Sequence, residues 1–214
     1  GDKGIFSGHE HPSYWRNRFY SAAIKSLKEF FVIHRHEQRL WGIYRSANSS
    51  PLDLARLLEE QPIDDAHELV EEAAIDFSSK TGRDVLRMVK ARVNQTFFRK
   101  MVLDNFGNRC CLTGIPIPQV LRASHIIPWS EDETNRMNPA NGICLSATYD
   151  AAFDAHLIGF DDKMRLILSP SLRNYVDDDA YQKHFAALEN VRMAQACRFE
   201  PDHGLVAKHR SVMA

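Results

Sequence analysis

Between Ser124 and Asp154 the chain reads Ser-His-Ile-Ile-Pro-Trp, then Asn-Pro-Ala-Asn-Gly-Ile-Cys-Leu, then Tyr-Asp-Ala-Ala-Phe-Asp. That order restricts the fold more than any other feature. Leu121–Ile127 reads as a strand that stops before Pro128, and Ile143–Leu145 reads as a second. Tyr149–Leu157 reads as a helix. On that helix Asp150 and Asp154 are four apart, so both carboxylates share one face and can grip one cation. His125, delivered from the preceding strand, can then deprotonate a water beside that cation. His125, Asn141, Asp150 and Asp154 are thus spaced for a single-metal phosphodiesterase site.

These residues resemble the HNH nuclease family, whose ββα-metal fold is a two-stranded hairpin followed by a helix. Asp150 and Asp154 stand nine and thirteen residues after Asn141, matching the family's two helical ligand positions. The likeness extends to a bacterial branch described as restriction endonucleases. It is carried by Phe98-Arg99, Cys111-Leu112-Thr113-Gly114, Ser124–Trp129, Asn138–Gly142 and Phe153-Asp154, with an echo at His209-Arg210. It covers roughly residues 92 to 170. The resemblance implies an α+β chain: an HNH core flanked by helices, with a mixed α/β N-terminal region. It implies His125 as general base and Asn141 as the residue that fixes the loop aiming it. Asp150, Asp154 and Ser124 would be the metal ligands. Two positions depart from the family: Asp150 replaces the commoner helix histidine, and Ser124 replaces an Asp or His before the base. His156 stands where glycine is common.

Oxygen donors favour Mg²⁺ or Mn²⁺, with Ni²⁺ or Zn²⁺ admitted. The implied partner is double-stranded DNA, and cutting both strands with one site per chain implies a homodimer. Arg99, Arg122 and Arg136 are the candidate DNA contacts. The implied function is a restriction or anti-phage endonuclease, a hydrolase of the bacterial cytoplasm. Ser124 motivates the alternative of a catalytically weak DNA-binding module that retains the HNH fold.

The net charge of −1 excludes a global positive field, so attraction to DNA must come from local patches. No apolar run approaches membrane-spanning length, and no signal peptide is visible. The chain opens on Gly1 rather than Met, which leaves open whether a preceding domain is missing. Cys110 and Cys111 are adjacent and cannot form paired C-x-x-C zinc knuckles, so the four cysteines read as reduced, mostly buried thiols.

We divide the chain into an N-terminal region (1–88) for recognition, sensing or dimerisation, the nuclease domain (89–170) and a helical extension (171–214) packing on it. Periodic apolar residues predict a helix from Tyr14 to Phe31, and Phe31–Ile33 and Leu40–Tyr44 read as strands around a polar link. Ser50-Pro51 starts a short helix. Residues 64–78 read as an acidic helix, and Asp84–Phe106 as a basic one feeding the site. Cys110–Thr113 and Leu121–Ile127 read as the first hairpin. Residues 130–141 are a polar loop able to lie across DNA. Ile158–Phe160 and Leu166–Leu168 bracket a hairpin, Asp179–Ala194 reads as a helix, and the tail as a short strand. The aromatic-rich start, including Tyr14, Trp15, Phe19, Tyr20, Phe30, Phe31, Trp41 and Tyr44, reads as core, with base sensing as the other option.

Overall fold

A computed structural model describes residues 19–63 and 82–213. The expected acidic helix at 64–78, the first twelve residues and the helix start at Tyr14 lie outside them. The chain forms two compact units, Gly1–Arg39 with Pro62–Lys90, and Leu40–Gln61 with Ala91–Ala214. Every residue of the candidate site belongs to the second.

The two strands expected at 31–33 and 40–44 are instead part of one helix, α1 (Phe19–Ser46). Val32, His36, Leu40 and Tyr44 are all buried and recur every fourth residue, a helical period. The polar link between them contains no Gly, Pro, Asn or Asp to break the helix, so aromatic and β-branched preference is overridden. Within the second unit Trp41 meets Phe97 edge to face at 5.1 Å, and Arg198 lies over the Tyr44 ring. In the first unit Phe30 and Phe31 are exposed.

Helix α2 (Pro51–Glu60) starts as expected: Ser50 Oγ accepts from the Asp53 amide and Pro51 occupies the first turn. Helix α3 (Gly82–Asn105) buries Val93, Phe97, Phe98, Met101 and Val102. It ends where Gly107 and Asn108 turn left-handed and Asn108 N–H returns to Leu103 O.

The site-bearing sheet pairs β1 (Leu121–His125) antiparallel with β2 (Gly142–Ser146), placing His125 opposite Gly142 and Ser124 opposite Ile143. The expected strand at Cys110–Thr113 is a turn closed by Gly114 N–H to Cys110 O. A short apolar run can be a buried turn as easily as a strand, and Gly114 at φ 70° decides it. β2 runs without a loop into α4 (Ala147–Asp154), the acid-bearing helix. Strands β3 (Ile158–Phe160) and β4 (Leu166–Leu168) form the expected hairpin, its turn fastened by Asp161.

Past residue 170 the structure corrects the sequence reading twice. The helix expected over Asp179–Ala194 stops early, as α5 (Asp179–His184). Residues 190–193 instead run beside β4, exchanging backbone hydrogen bonds with Leu166 and Met164. Those carbonyls and amides would otherwise be unpaired, and this outweighs helix propensity. The tail is helix α6 (His203–Arg210), not a strand; Asp202 caps its first turn by accepting from Leu205 N–H. Among the described residues no helix is long and apolar enough to cross a membrane.

Candidate active site

Two antiparallel strands and the helix that continues from the second converge on a cavity of about 530 Å³. His125, Ser124, Asp150 and Asp154 line it, together with His156 and His209. The structure therefore brings together the sequence-expected base and acids, and adds one residue, His209, from the far end of the chain.

His125 sits at the end of β1. Its ring stacks on Phe98 at 3.8 Å and 9°, and meets Trp129 edge-on at 5.6 Å. Gly142 makes this possible: a Cβ there would collide with Val102 and meet Phe98 Cζ at 2.9 Å. Nε2 lies 3.3 Å from the Arg136 carbonyl, which can only accept, so the proton is on Nε2 and the lone pair on Nδ1. Burial lowers the His125 pKa to about 4, and the Arg136 hydrogen bond offsets only part of that. At neutral pH the ring is therefore uncharged.

Among the described residues the Asn141 side chain makes three hydrogen bonds, all to backbone. Its Oδ1 accepts from Ile127 N–H at 2.8 Å, and its Nδ2 donates to Ile127 O and Asn135 O, both at 3.1 Å. It ties the chain just after His125 to the loop that supplies the Arg136 carbonyl. That loop, expected as a polar strap, is internally braced. Asp132 accepts from Thr134 and Asn135, Asn135 accepts from Asn138, and Asn138 caps the turn before Asn141. The Asn135 side chain, ahead of the loop amides, holds the Asp132 carboxyl below its ordinary pKa.

On the acid side, Ser124 Oγ donates to Asp150 Oδ1 at 2.6 Å. Ser124 thus orients a carboxylate. Asp154 stands one turn further, open to solvent. Partial burial of its carboxyl, and after it the charge of Asp150, raise its pKa, while His156 opposes them. The influence of the Asp150 charge places the two acids within electrostatic reach of one another. Helix α4 closes in a Schellman turn: His156 N–H returns to Phe153 O and Leu157 N–H to Ala152 O, with His156 at φ 54°. Among the described residues His156 Nδ1 is buried there without a hydrogen-bond partner.

Among the described residues no group of three His, Cys, Asp or Glu side chains could hold a metal ion. The donors present still suit one kind of cation. Two carboxylates on successive turns fit a hard ion that keeps most of its water and takes its other oxygens from a phosphate. The three candidate DNA contacts already have structural duties. Arg99 donates to Leu121 O and Pro118 O, Arg122 to Leu121 O and Gln119 O, and Arg136 to Trp129 O. Each retains further N–H donors.

Sequence reasoning missed Phe98 as the surface under His125, Trp129 as its edge contact and His209 as a wall of the cavity. The Phe98-Arg99 and His209-Arg210 pairs were the available signals. Cys110, Cys111 and Cys144 are buried behind the hairpin, where burial pushes the Cys144 thiol up to about 12.

Residues 110–161 match a family model described as HNH endonuclease. No curated protein matches the chain.

Proposed function

Taking residues 110–161 as an HNH endonuclease domain, we propose that the chain hydrolyses DNA phosphodiesters with a divalent cation held by Asp150 and Asp154. The observation that carries this reading is the neutral His125 lining one cavity with both acids. His125 Nδ1, kept free of the proton by the Arg136 carbonyl, accepts the proton of the attacking water. Asn141 and the braced loop hold the ring in that tautomer and orientation. Ser124 fixes the Asp150 carboxylate. A bound Mg²⁺ or Mn²⁺ supplies neutralisation of the charge that builds on the phosphate and the leaving 3′ oxygen.

Arg99, Arg122 and Arg136 flank the scissile strand and pair phosphates with the donors they keep. Residues 1–88 serve recognition, sensing or dimerisation, with 89–170 as nuclease and 171–214 as its extension. Two copies cut the two strands. A restriction or anti-phage role in the bacterial cytoplasm fits such an enzyme.

One observation favours a weaker enzyme: no three-ligand group exists among the described residues. A DNA-binding module with the same fold would shift DNA without cutting it. Nicking of supercoiled plasmid across Mg²⁺, Mn²⁺, Ni²⁺ and Zn²⁺ decides. We expect cutting with Mg²⁺ or Mn²⁺. A DNA mobility shift with no nicking in any metal would leave only the binding module.

A further inference from the structure

The family match ends at residue 161, yet the cavity is finished by His209, far beyond it in the chain. His209, on α6, is buried at 5% exposure. Its ring stacks on Phe153 at 3.7 Å and 3°, and its Nε2 lies 3.0 Å from Phe153 O. A carbonyl can only accept, so Nε2 carries the proton and donates it. Phe153 O is also the oxygen that closes the Schellman turn of α4 by accepting from His156 N–H. His209 therefore grips the last turn of the acid-bearing helix by both its ring face and its backbone, one residue from Asp154. The His156 ring packs against it at 4.6 Å.

That turn needs external support. Position 156 holds a non-glycine residue in the left-handed region, where a Cβ is disfavoured. α4 is only eight residues long, and Ser146 gives it no side-chain cap. Asp154 itself has no hydrogen bond or ion pair holding its side chain among the described contacts, so the backbone under it fixes where the carboxylate points. The approach of α6 is also built in: a Cβ on Gly159 of β3 would collide with Met213, just past the end of the helix. Arg210 fastens the same helix elsewhere, donating to Phe160 O at 3.0 Å and Asp162 Oδ1 at 2.7 Å.

We infer that His209 is a positioning residue for Asp154, so that the working nuclease unit includes the C-terminal helix and does not end with the family segment. The inference rests on the reading that Asp150 and Asp154 hold a divalent cation. Outer partners of this kind change metal affinity or activity by about 10- to 100-fold when removed.

The test uses the whole chain without DNA, titrated with Mn²⁺ and followed by water-proton relaxation. Asp154→Ala, His209→Phe, His209→Gln and Arg210→Ala are compared with wild type, each with its melting temperature. His209→Phe keeps the ring stack but loses the donor, and we expect about tenfold weaker Mn²⁺ binding with the fold retained. His209→Gln restores an N–H near the Nε2 position, and we expect most of the affinity back. Arg210→Ala weakens the docking of α6 generally, so its melting temperature falls while Mn²⁺ affinity stays near wild type. Asp154→Ala abolishes Mn²⁺ binding. If Asp154→Ala loses binding while His209→Phe binds as wild type, the positioning role is wrong and the cation reading stands. Equal losses in His209→Phe and Arg210→Ala, tracking melting temperature, also overturn the positioning role. A wild type that binds no Mn²⁺, or an Asp154→Ala that binds normally, removes the cation reading and this inference with it.

Discussion

The two walls of the cavity are built to different standards. On the base side, His125 is packed by Phe98 and Trp129, bonded to the Arg136 carbonyl and backed by the three hydrogen bonds of Asn141. The ring is held on its face, at its edge and through Nε2, which leaves Nδ1 open. On the acid side, Asp150 has one partner, Ser124, and Asp154 stands open with its pKa raised. The proposed hydrolysis asks for a fixed base and two under-partnered acids. The base must hold one tautomer and one direction, whereas the acids must leave room for water and phosphate oxygens. The contrast teaches that tight packing and open, under-partnered carboxylates are allotted to opposite walls.

The largest effect that sharpens the contrast is on the acid side. Asp154→Ala should abolish plasmid nicking while leaving the melting temperature unchanged or slightly raised, because a raised carboxyl pKa means the charged form is disfavoured in the fold. A fall of many degrees would show that this wall is structural after all. Asn141→Ala does the reverse, removing buried hydrogen bonds at a cost of about 3 kcal/mol, read by urea titration. Nicking then falls because His125 loses its direction. Gly142→Ala forces Val102 and Phe98 aside and should destabilise by about 2 kcal/mol, with the stacking on His125 disturbed.

How much of this was legible beforehand follows from what each position answers to. His125, Asn141 and the two acids stand out because their spacing is set by a short strand, a turn and a helix turn, all local. Ser50-Pro51 was legible for the same reason. The strands expected at 31–33 and 40–44 were not helix-like by composition, and only burial every fourth residue, from Val32 to Tyr44, reveals α1. Residues 190–193 pair with β4, a partner more than twenty residues away that periodicity cannot announce. His209 was invisible as a site residue because its role depends on where the tail docks, a tertiary matter. Phe98 likewise shows its purpose only once Gly142 is seen opposite His125.

Two smaller measurements probe the same walls. His125 and His209 both have folded pKa values lowered to about 4 by burial, against about 6.5 in the unfolded chain. Between those limits the unfolded state binds more protons, so stability falls as pH drops from about 6.5 to about 4, by at most about 1.4 kcal/mol per unit for each ring. Above pH 6.5 neither ring contributes a slope. Denaturant midpoints at pH 7.5, 6 and 5 read this, and a flat profile would place both rings in water. The least effect is His156→Gly, expected to stabilise by about 1 kcal/mol through relief of the left-handed backbone at φ 54°. A loss of stability there would mean the imidazole packing against His209 outweighs the strain.

The account stands most directly on His125 as the base. Single-turnover nicking of supercoiled plasmid in Mn²⁺ by His125→Ala, with its fold verified by circular dichroism, tests it. The account requires a loss of about 10²- to 10⁴-fold, the range of general-base contributions. Cutting at the wild-type rate by the folded variant would contradict it.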